Sequence, residues 1–227
     1  MKRILLFLLF STFLVNAQIP YGSNPKVGKR IQVGDISMYY EIYGKGEPLI
    51  LLHGGFGSSE MMGGMIAAFS KKYQVIAVDS RSQGRTTDSD EKELSYAQMA
   101  LDVNGFMDLL HLKKAKFVGW SDGGDIALEL ALIHPEKITK AVIMGANFLG
   151  ESKGVFLGID TTWKMDAKDP LFAKTKPELV KYFSTYERLA PDKKKIESSR
   201  KKVSENAFKN PNITLAQLKS IQVPFLV

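Results

Sequence analysis

Short, continuous apolar segments alternate with amphipathic segments in the middle of this 227-residue chain, and that alternation constrains the fold more than any other feature. The apolar runs occupy 48–53, 75–78, 116–120 and 138–144. Because they lack the apolar–polar alternation of a half-exposed strand, they predict strands buried on both faces. Helical spacing separates successive runs, which favours an α/β fold, a mostly parallel sheet with helices on both faces.

Weaker patterns extend this core at both ends. Two strand-like runs, 31–36 and 38–43, precede it with a turn signal at Gly34–Asp35. The predicted helices cover 58–71, 96–110 and 126–133; the first has Ser58 or Ser59 as its cap and a stripe of Met61, Met65, Ala68 and Phe69.

The strand–helix rhythm breaks at Gly145 and resumes at 223–227, where a further strand begins. The intervening residues are basic and mostly helical in pattern, which predicts a helical cap after the sixth main strand, above the carboxyl edge of the sheet. The predicted organisation is a signal peptide (1–17), a core (18–149), the cap (150–210) and a return to the core (211–227).

The first 17 residues have the pattern of a secretory signal. Lys2 and Arg3 precede an apolar stretch at 4–15, and Val15-Asn16-Ala17 predicts cleavage after Ala17, hence a secreted or periplasmic protein. The alternative is an uncleaved anchor, although the stretch is shorter than the roughly 20 residues that span a bilayer. No other segment predicts a membrane span.

Composition excludes several kinds of site. The chain has no cysteine, which excludes disulfides, a cysteine nucleophile and thiolate metal sites. Its three histidines argue against a polyhistidine metal centre, so we expect no metal. Of the net charge of +7, residues 151–227 carry +6, partly in the runs 193–195 and 200–202. These runs could bind phosphate groups or anionic lipid, but no nucleic-acid motif accompanies them, and we expect solvated helix faces and no nucleic-acid partner.

The segment Gly119–Gly123 fits the pattern G-x-S-x-G, between a predicted buried strand and a predicted helix. A sharp strand-to-helix turn there would lift the Ser121 hydroxyl clear of the sheet. The helix N-terminus beside it favours developing negative charge. We therefore predict Ser121 as a catalytic nucleophile; the alternative is a tight turn with a capping serine.

A glycine-rich loop, His53–Gly57, follows the earlier buried strand. Acyl transfer needs two backbone N–H groups for the oxyanion, and we expect one from Asp122 and the other from Gly55 or Phe56. The alternative, a phosphate-binding loop, lacks both G-x-G-x-x-G and G-K-[ST]. We interpret His53 as structural, since it lies within this loop.

Two further sets of charged residues have structural interpretations. Asp79 and Arg81, in the loop after the next strand, suggest an ion pair that braces loops near the site. His111 and His134 lie at predicted helix ends, and we expect surface or capping roles.

These motifs together resemble the α/β-hydrolase fold superfamily over roughly residues 31–227. The resemblance is carried by the loops 53–57 and 79–85, by the elbow 119–124, and by the helix at 96–100 with Asp102. The sequence Gly-Trp-Ser-Asp-Gly-Gly is similar to the group that includes bromoperoxidase-like and valacyclovir-hydrolase-like members. The resemblance implies a serine hydrolase that cleaves a small carboxylic ester or related acyl substrate, with a cap and without a cofactor.

The chain departs from this family in its catalytic triad. The family order is serine, then an acid after the sixth or seventh strand, then a histidine. Asn147 stands after the sixth predicted strand, and no histidine follows His134. We therefore expect a C-terminally truncated hydrolase that is nearly inactive alone. Its last segment would leave an apolar sheet edge uncovered, which predicts poor solubility of the chain. The alternative is a shortened, non-catalytic relative that binds ligands.

Two features bear on the substrate. Aromatic and methionine side chains in and beside the cap suggest an apolar pocket, or else simply pack the cap on the sheet; they are Phe148, Phe156, Trp163, Met165 and Phe172. Asp122 could instead attract a cationic group. The sequence contains no feature that indicates the oligomeric state.

Overall fold

The computed structural model describes residues 19–89, 93–147, 170–209 and 211–227, with the backbone alone for 170–176 and 179. The predicted signal peptide and the aromatic set proposed for the cap lie outside the described residues and side chains.

One mixed sheet of seven strands forms the centre of the described structure. The strands are β1 (Lys29–Val33), β2 (Ile36–Tyr43), β3 (Pro48–Leu52), β4 (Gln74–Val78), β5 (Ala115–Trp120), β6 (Ile138–Met144) and β7 (Phe225–Leu226). Their order is β1-β2-β4-β3-β5-β6-β7. From β4 to β7 all neighbours are parallel, whereas β1 and β2 form an antiparallel hairpin that pairs with β4. The mostly parallel α/β sheet is therefore confirmed.

Helices pack on both faces of this sheet, α1 (Gly63–Phe69) on one face and α2 (Tyr96–Leu109) and α3 (Asp122–Ile133) on the other. Three further helices lie between β6 and β7 in the chain: α4 (Pro170–Leu189), α5 (Ile196–Lys209) and α6 (Leu215–Ser220). Alternate residues of β3 enter different cores: Ile50 and Leu52 pack with α2 and α3, whereas Leu49 and Leu51 pack with α1. This is why the strand sequence is apolar at every position.

The segment after β3 differs from the prediction. A 3₁₀ turn at Ser59–Met62 precedes α1, and Ser58 makes no capping hydrogen bond through its side chain. The tighter turn shifts the helical face, so Met62 and Ile66 are buried while Met61 and Ala68 are exposed. The predicted stripe was wrong at Met61 and Ala68; Met65 and Phe69 are partly buried on this core.

Strand order places a crevice at the carboxyl ends of β3 and β5. These strands are neighbours, but the chain leaves β3 towards β4 on one side and leaves β5 towards β6 on the other. Such a switch point is where open α/β sheets bind ligands. Both sequence motifs, the His53–Gly57 loop and Ser121, lie directly after these two strands.

Candidate active site

Ser121 occupies a sharp turn between β5 and α3. Its backbone has φ 51° and ψ −120°, a left-handed φ that is costly for a residue with a side chain. The turn is fixed on both sides, because Ser121 N donates to Met144 O (2.8 Å) and Gly124 N donates to Ser121 O (2.7 Å). The first residue of α3 follows at once, so the N-terminus of the helix lies beside Ser121.

Glycines are required around this turn because the backbones approach too closely for a side chain. A Cβ on Gly119 would lie 2.3 Å from Gly123 O, and one on Gly123 would lie 2.2 Å from Leu52 O. These contacts let α3 pack directly on the sheet behind the turn. The spacing of G-x-S-x-G therefore has a steric cause here.

The glycine loop lies against the serine turn. A Cβ on Gly54 would lie 3.2 Å from Ser121 Cβ, and a Cβ on Gly55 would lie 2.8 Å from Asp122 Oδ2. Phe56 is 3% exposed and has a left-handed φ of 57°. The structure thus brings together Ser121, Asp122, Gly55 and Phe56, the residues that the sequence analysis singled out.

His53 is buried beneath the loop, and both of its ring nitrogens are engaged. Ser80 N donates to Nε2 (3.0 Å), which leaves Nδ1 as the protonated nitrogen, 2.7 Å from Gly54 O. Burial lowers the His53 pKa and so favours the neutral ring. These contacts fit a structural role and leave neither nitrogen for Ser121.

The other two histidines lie at helix ends. His111 follows the C-terminus of α2, and His134 caps the C-terminus of α3, where its Nδ1 lies 3.0 Å from Glu136 Oε1. Because α3 begins beside Ser121 and has 12 residues, His134 lies about 18 Å away along the helix. The three histidines of the sequence are all within the described residues, and none of the hydrogen bonds that their side chains make there involves Ser121.

The loop after β4 is braced by ion pairs, but with different partners from the predicted pair. Asp79 accepts hydrogen bonds from Ser59 N and Arg85 N, both at 2.7 Å, and pairs with the Arg85 guanidinium. Arg81 instead binds Asp102 through two 2.7 Å bonds and also pairs with Asp35. The prediction that Asp79 pairs with Arg81 was therefore wrong. Their closeness in sequence does not bring the two side chains together, because they leave the end of the strand in different directions.

Two carboxyl groups are buried behind the serine turn, Asp122 and Asp125. Burial raises the pKa of Asp122 to about 6, and burial together with the charge of Asp122 raises that of Asp125 to about 8. Asp125 Oδ1 accepts a 2.6 Å hydrogen bond from Asn147 N, which ties the end of β6 to α3. Sequence reasoning missed Asp125; the signal was an acidic residue within an otherwise apolar helix.

Helix α4 covers the glycine loop with three aromatic residues. The Phe56 ring packs edge-on against Phe183 and Tyr186, at centroid distances of 5.4 and 5.5 Å. The hydroxyls of Tyr182 and Tyr186 donate to Gly55 O and Ser82 O respectively. Through these contacts α4 lies over the loops that follow β3 and β4.

A cavity of about 190 Å³ lies between the 82–88 loop and helices α4 and α5, beside Asp88 rather than Ser121. Within 19–89, 93–147, 170–209 and 211–227, no three His, Asp or Glu side chains are grouped to hold a metal ion. Among the helices of these same segments, none combines the length and apolar character of a membrane span.

Comparisons with known proteins agree with this architecture. A family model described as alpha/beta hydrolase fold matches residues 47–205. Human serine hydrolase BPHL is 33% identical over 153 residues, covering 63% of this chain and 53% of that protein. A 2-hydroxymuconate semialdehyde hydrolase of Pseudomonas putida is 30% identical over 142 residues, covering 62% and 50%.

A solved structure agrees at the level of the fold. The meta-cleavage product hydrolase CumD of Pseudomonas fluorescens superposes with a TM-score of 0.68 at 23% identity, covering 89% of this chain and 79% of that one. The chain spans about half the length of the curated relatives that it matches. With the family model covering most of the chain, the protein belongs to the alpha/beta hydrolase fold family.

Proposed function

We propose that the protein is a serine hydrolase that cleaves a small carboxylic ester or related acyl substrate, with Ser121 as nucleophile. The observation that carries this proposal is the left-handed backbone of Ser121 in contact with the Gly54–Gly55 segment. A capping serine does not need this strain, since ordinary capping residues have extended φ and ψ. A nucleophile presented at the top of a sheet does.

The chemistry follows from what surrounds Ser121. Its hydroxyl oxygen attacks the substrate carbonyl and transfers its proton to a base. The backbone N–H groups of Asp122 and of Gly55 or Phe56 stabilise the oxyanion. The alcohol leaves with a proton, and water then hydrolyses the acyl-serine.

None of the three histidines is placed to act as the general base for Ser121. His53 has both nitrogens engaged, and His111 and His134 lie at helix ends away from Ser121. We therefore propose that this chain, tested alone, hydrolyses esters about 10⁴–10⁶-fold more slowly than an intact triad would.

Chemical rescue tests both parts of this proposal. We expect p-nitrophenyl acetate hydrolysis by the purified chain to be near background. Added imidazole, which supplies the missing base, should produce an increment that Ser121→Ala lacks. Ser184→Ala, which alters an exposed serine on α4, is the matched control and should behave as the unaltered chain does.

Each other outcome has a distinct meaning. Turnover without imidazole that disappears in Ser121→Ala would support the nucleophile and refute the missing base. An increment that persists in Ser121→Ala would refute Ser121 as nucleophile.

The alternative function is that of a non-catalytic, hydrolase-like binding protein, favoured by the absence of a histidine at Ser121. Saturable binding of the ester without any Ser121-dependent turnover, with or without imidazole, would support it.

The carboxyl group of Asp122 could pair with a cationic group on the substrate. This carboxyl is 1% exposed and lies against Gly55, so an amine-bearing ester would have to displace these contacts to pair with it. A comparison of neutral and amine-bearing esters under the rescue conditions decides whether Asp122 selects for a cation.

A further inference from the structure

One hydrogen bond between α4 and the glycine loop concerns a single peptide group. Tyr182 Oη donates a hydrogen bond to the carbonyl oxygen of Gly55, 127 residues away in sequence. In a trans peptide the carbonyl and the following N–H point in opposite directions. A hydroxyl that fixes Gly55 O therefore also fixes the direction of the Phe56 N–H, one of the two alternatives proposed for the second oxyanion amide.

The neighbouring peptide is fixed in the same manner from within the core. Gly54 O lies 2.7 Å from His53 Nδ1 and accepts a 3.0 Å hydrogen bond from Gly57 N. These bonds fix the direction of the Gly55 N–H. The core thus orients the Gly55 N–H and α4 orients the Phe56 N–H, the two alternatives for the amide that would act beside that of Asp122.

The turn itself would favour a different orientation of the Gly55–Phe56 peptide. The bond from Gly57 N to Gly54 O closes a four-residue turn in which Phe56 is third and has a φ of 57°. A positive φ at this position is the mark of a type II turn, which prefers glycine there. For a phenylalanine the type I turn is intrinsically better, and the two types differ by a flip of the central peptide.

The side chains of α4 oppose that flip. Phe183 and Tyr186 hold the Phe56 ring, and Tyr182 holds the carbonyl. Burial, and then the negative charge of Asp122, raise the Tyr182 pKa, so the hydroxyl remains a protonated donor through the physiological range. Packing restrains the Phe56 ring, whereas the Tyr182 hydroxyl bonds the peptide that flips.

We propose that Tyr182 is a positioning residue, whose hydroxyl keeps the Gly55–Phe56 peptide in the orientation of the proposed oxyanion site. The cap helix thereby controls the reactivity of Ser121 without touching it. This inference rests on the proposed function for its kinetic consequence, but the orientation of the peptide can be measured without any reaction.

The test compares two tyrosine-to-phenylalanine variants of the same helix. Tyr182→Phe removes the bond to Gly55 O and keeps the ring. Tyr186→Phe removes the 3.0 Å bond to Ser82 O and keeps the ring against Phe56. Each variant loses one hydroxyl bond to a loop carbonyl, and only the first concerns the Gly55–Phe56 peptide.

Two readouts distinguish positioning from general stability. In NMR spectra we expect Tyr182→Phe to shift the Gly55 carbonyl ¹³C and Phe56 amide ¹⁵N signals strongly, whereas Tyr186→Phe leaves them nearly unchanged. With a fluorophosphonate, Tyr182→Phe should lower the rate constant for phosphonylation of Ser121 at least tenfold with little change in the apparent affinity. Tyr186→Phe should alter that rate constant less than twofold, even where thermal unfolding shows equal destabilisation.

The outcomes separate this inference from the proposed function. Unchanged Gly55 and Phe56 signals in Tyr182→Phe, or equal shifts and rates in both variants, would overturn the positioning role. Absence of any Ser121 adduct in the unaltered chain would count against the proposed function, and the NMR comparison would still decide the role of Tyr182.

Discussion

At the scale of single residues, glycines recur around Ser121 because neighbouring backbone atoms lie too close to admit a side chain. Gly123 is the sharpest case, because a Cβ there would lie 2.2 Å from Leu52 O, which is backbone and cannot rotate away. A Cβ at Gly64, in the first turn of α1, would meet no atom within 4 Å, so Gly64 serves as a matched control.

We expect Gly123→Ala to lower the free energy of unfolding by at least about 2 kcal/mol, because β3 and α3 must separate to admit the methyl group. Gly64→Ala should be neutral or stabilise by up to about 1 kcal/mol, since alanine favours the helix. Urea denaturation of both variants measures this difference. Equal free energies of unfolding for both variants would contradict the close approach of α3 to the sheet.

The buried carboxyl group of Asp125 gives a prediction on pH. Burial and the charge of Asp122 raise its pKa from an ordinary value of 3.8 to about 8. The folded chain therefore retains a proton that the unfolded chain has released. The stabilisation is complete below about pH 4, declines as the pH rises and is lost above about pH 8.

Asp125→Asn should remove this dependence while keeping an acceptor for Asn147 N. Between pH 7 and 8, where Asp122 is largely ionised, we expect the unaltered chain to lose up to about 1.4 kcal/mol of unfolding free energy per pH unit relative to the variant. Urea denaturation at several pH values measures this, with the exposed Glu197→Gln as a control that should follow the unaltered chain. Parallel pH profiles for Asp125→Asn and the unaltered chain would exclude a protonated Asp125.

At the scale of secondary-structure elements, a buried ion pair contributes to holding α5 against the 82–89 loop. Lys202 Nζ lies 2.9 Å from Asp88 Oδ2, and both side chains are mostly buried. The adjacent Lys201 is 74% exposed and pairs with Glu205 at 3.8 Å. Lys201 is therefore a matched control for Lys202, because the two neighbouring lysines differ in burial and in the carboxylate that they pair with.

We expect Lys202→Met to destabilise the chain by about 3–5 kcal/mol, because it leaves the Asp88 carboxylate buried without its cation. Amide hydrogen exchange should rise first in α5 and in the 82–89 loop. Lys201→Met should change the free energy of unfolding by no more than about 1 kcal/mol, since exposed pairs contribute little. Similar exchange in the two variants would show that the Asp88 contact does not anchor α5.

Sequence patterns predicted the elements of the sheet better than the contacts between distant elements. The run 138–144 coincides with β6, and the runs before it match β3, β4 and β5 within one residue at each end, because continuous burial leaves a clear pattern. The 3₁₀ turn before α1 was missed, since its tighter winding leaves no separate signal in composition. The bond from Tyr182 to Gly55 spans 127 residues, and only the folded chain shows it.

At the scale of the whole molecule, two halves of the proposed site arise in different ways. The serine turn and glycine loop follow from local sequence placed at one switch point of the sheet. Helix α4 covers the glycine loop, and its contacts explain how a phenylalanine is kept at a left-handed position there. A site assembled from such distant segments depends on the docking of the cap as well as on its motifs.

Mapping of a covalent adduct tests the central claim most directly. After prolonged incubation of the purified chain with a fluorophosphonate, intact-mass and peptide analysis should find a single adduct on the peptide that contains Ser121, and Ser121→Ala should carry none. An adduct that forms equally in Ser121→Ala, or that maps to another serine, would contradict the assignment of Ser121 as the nucleophile.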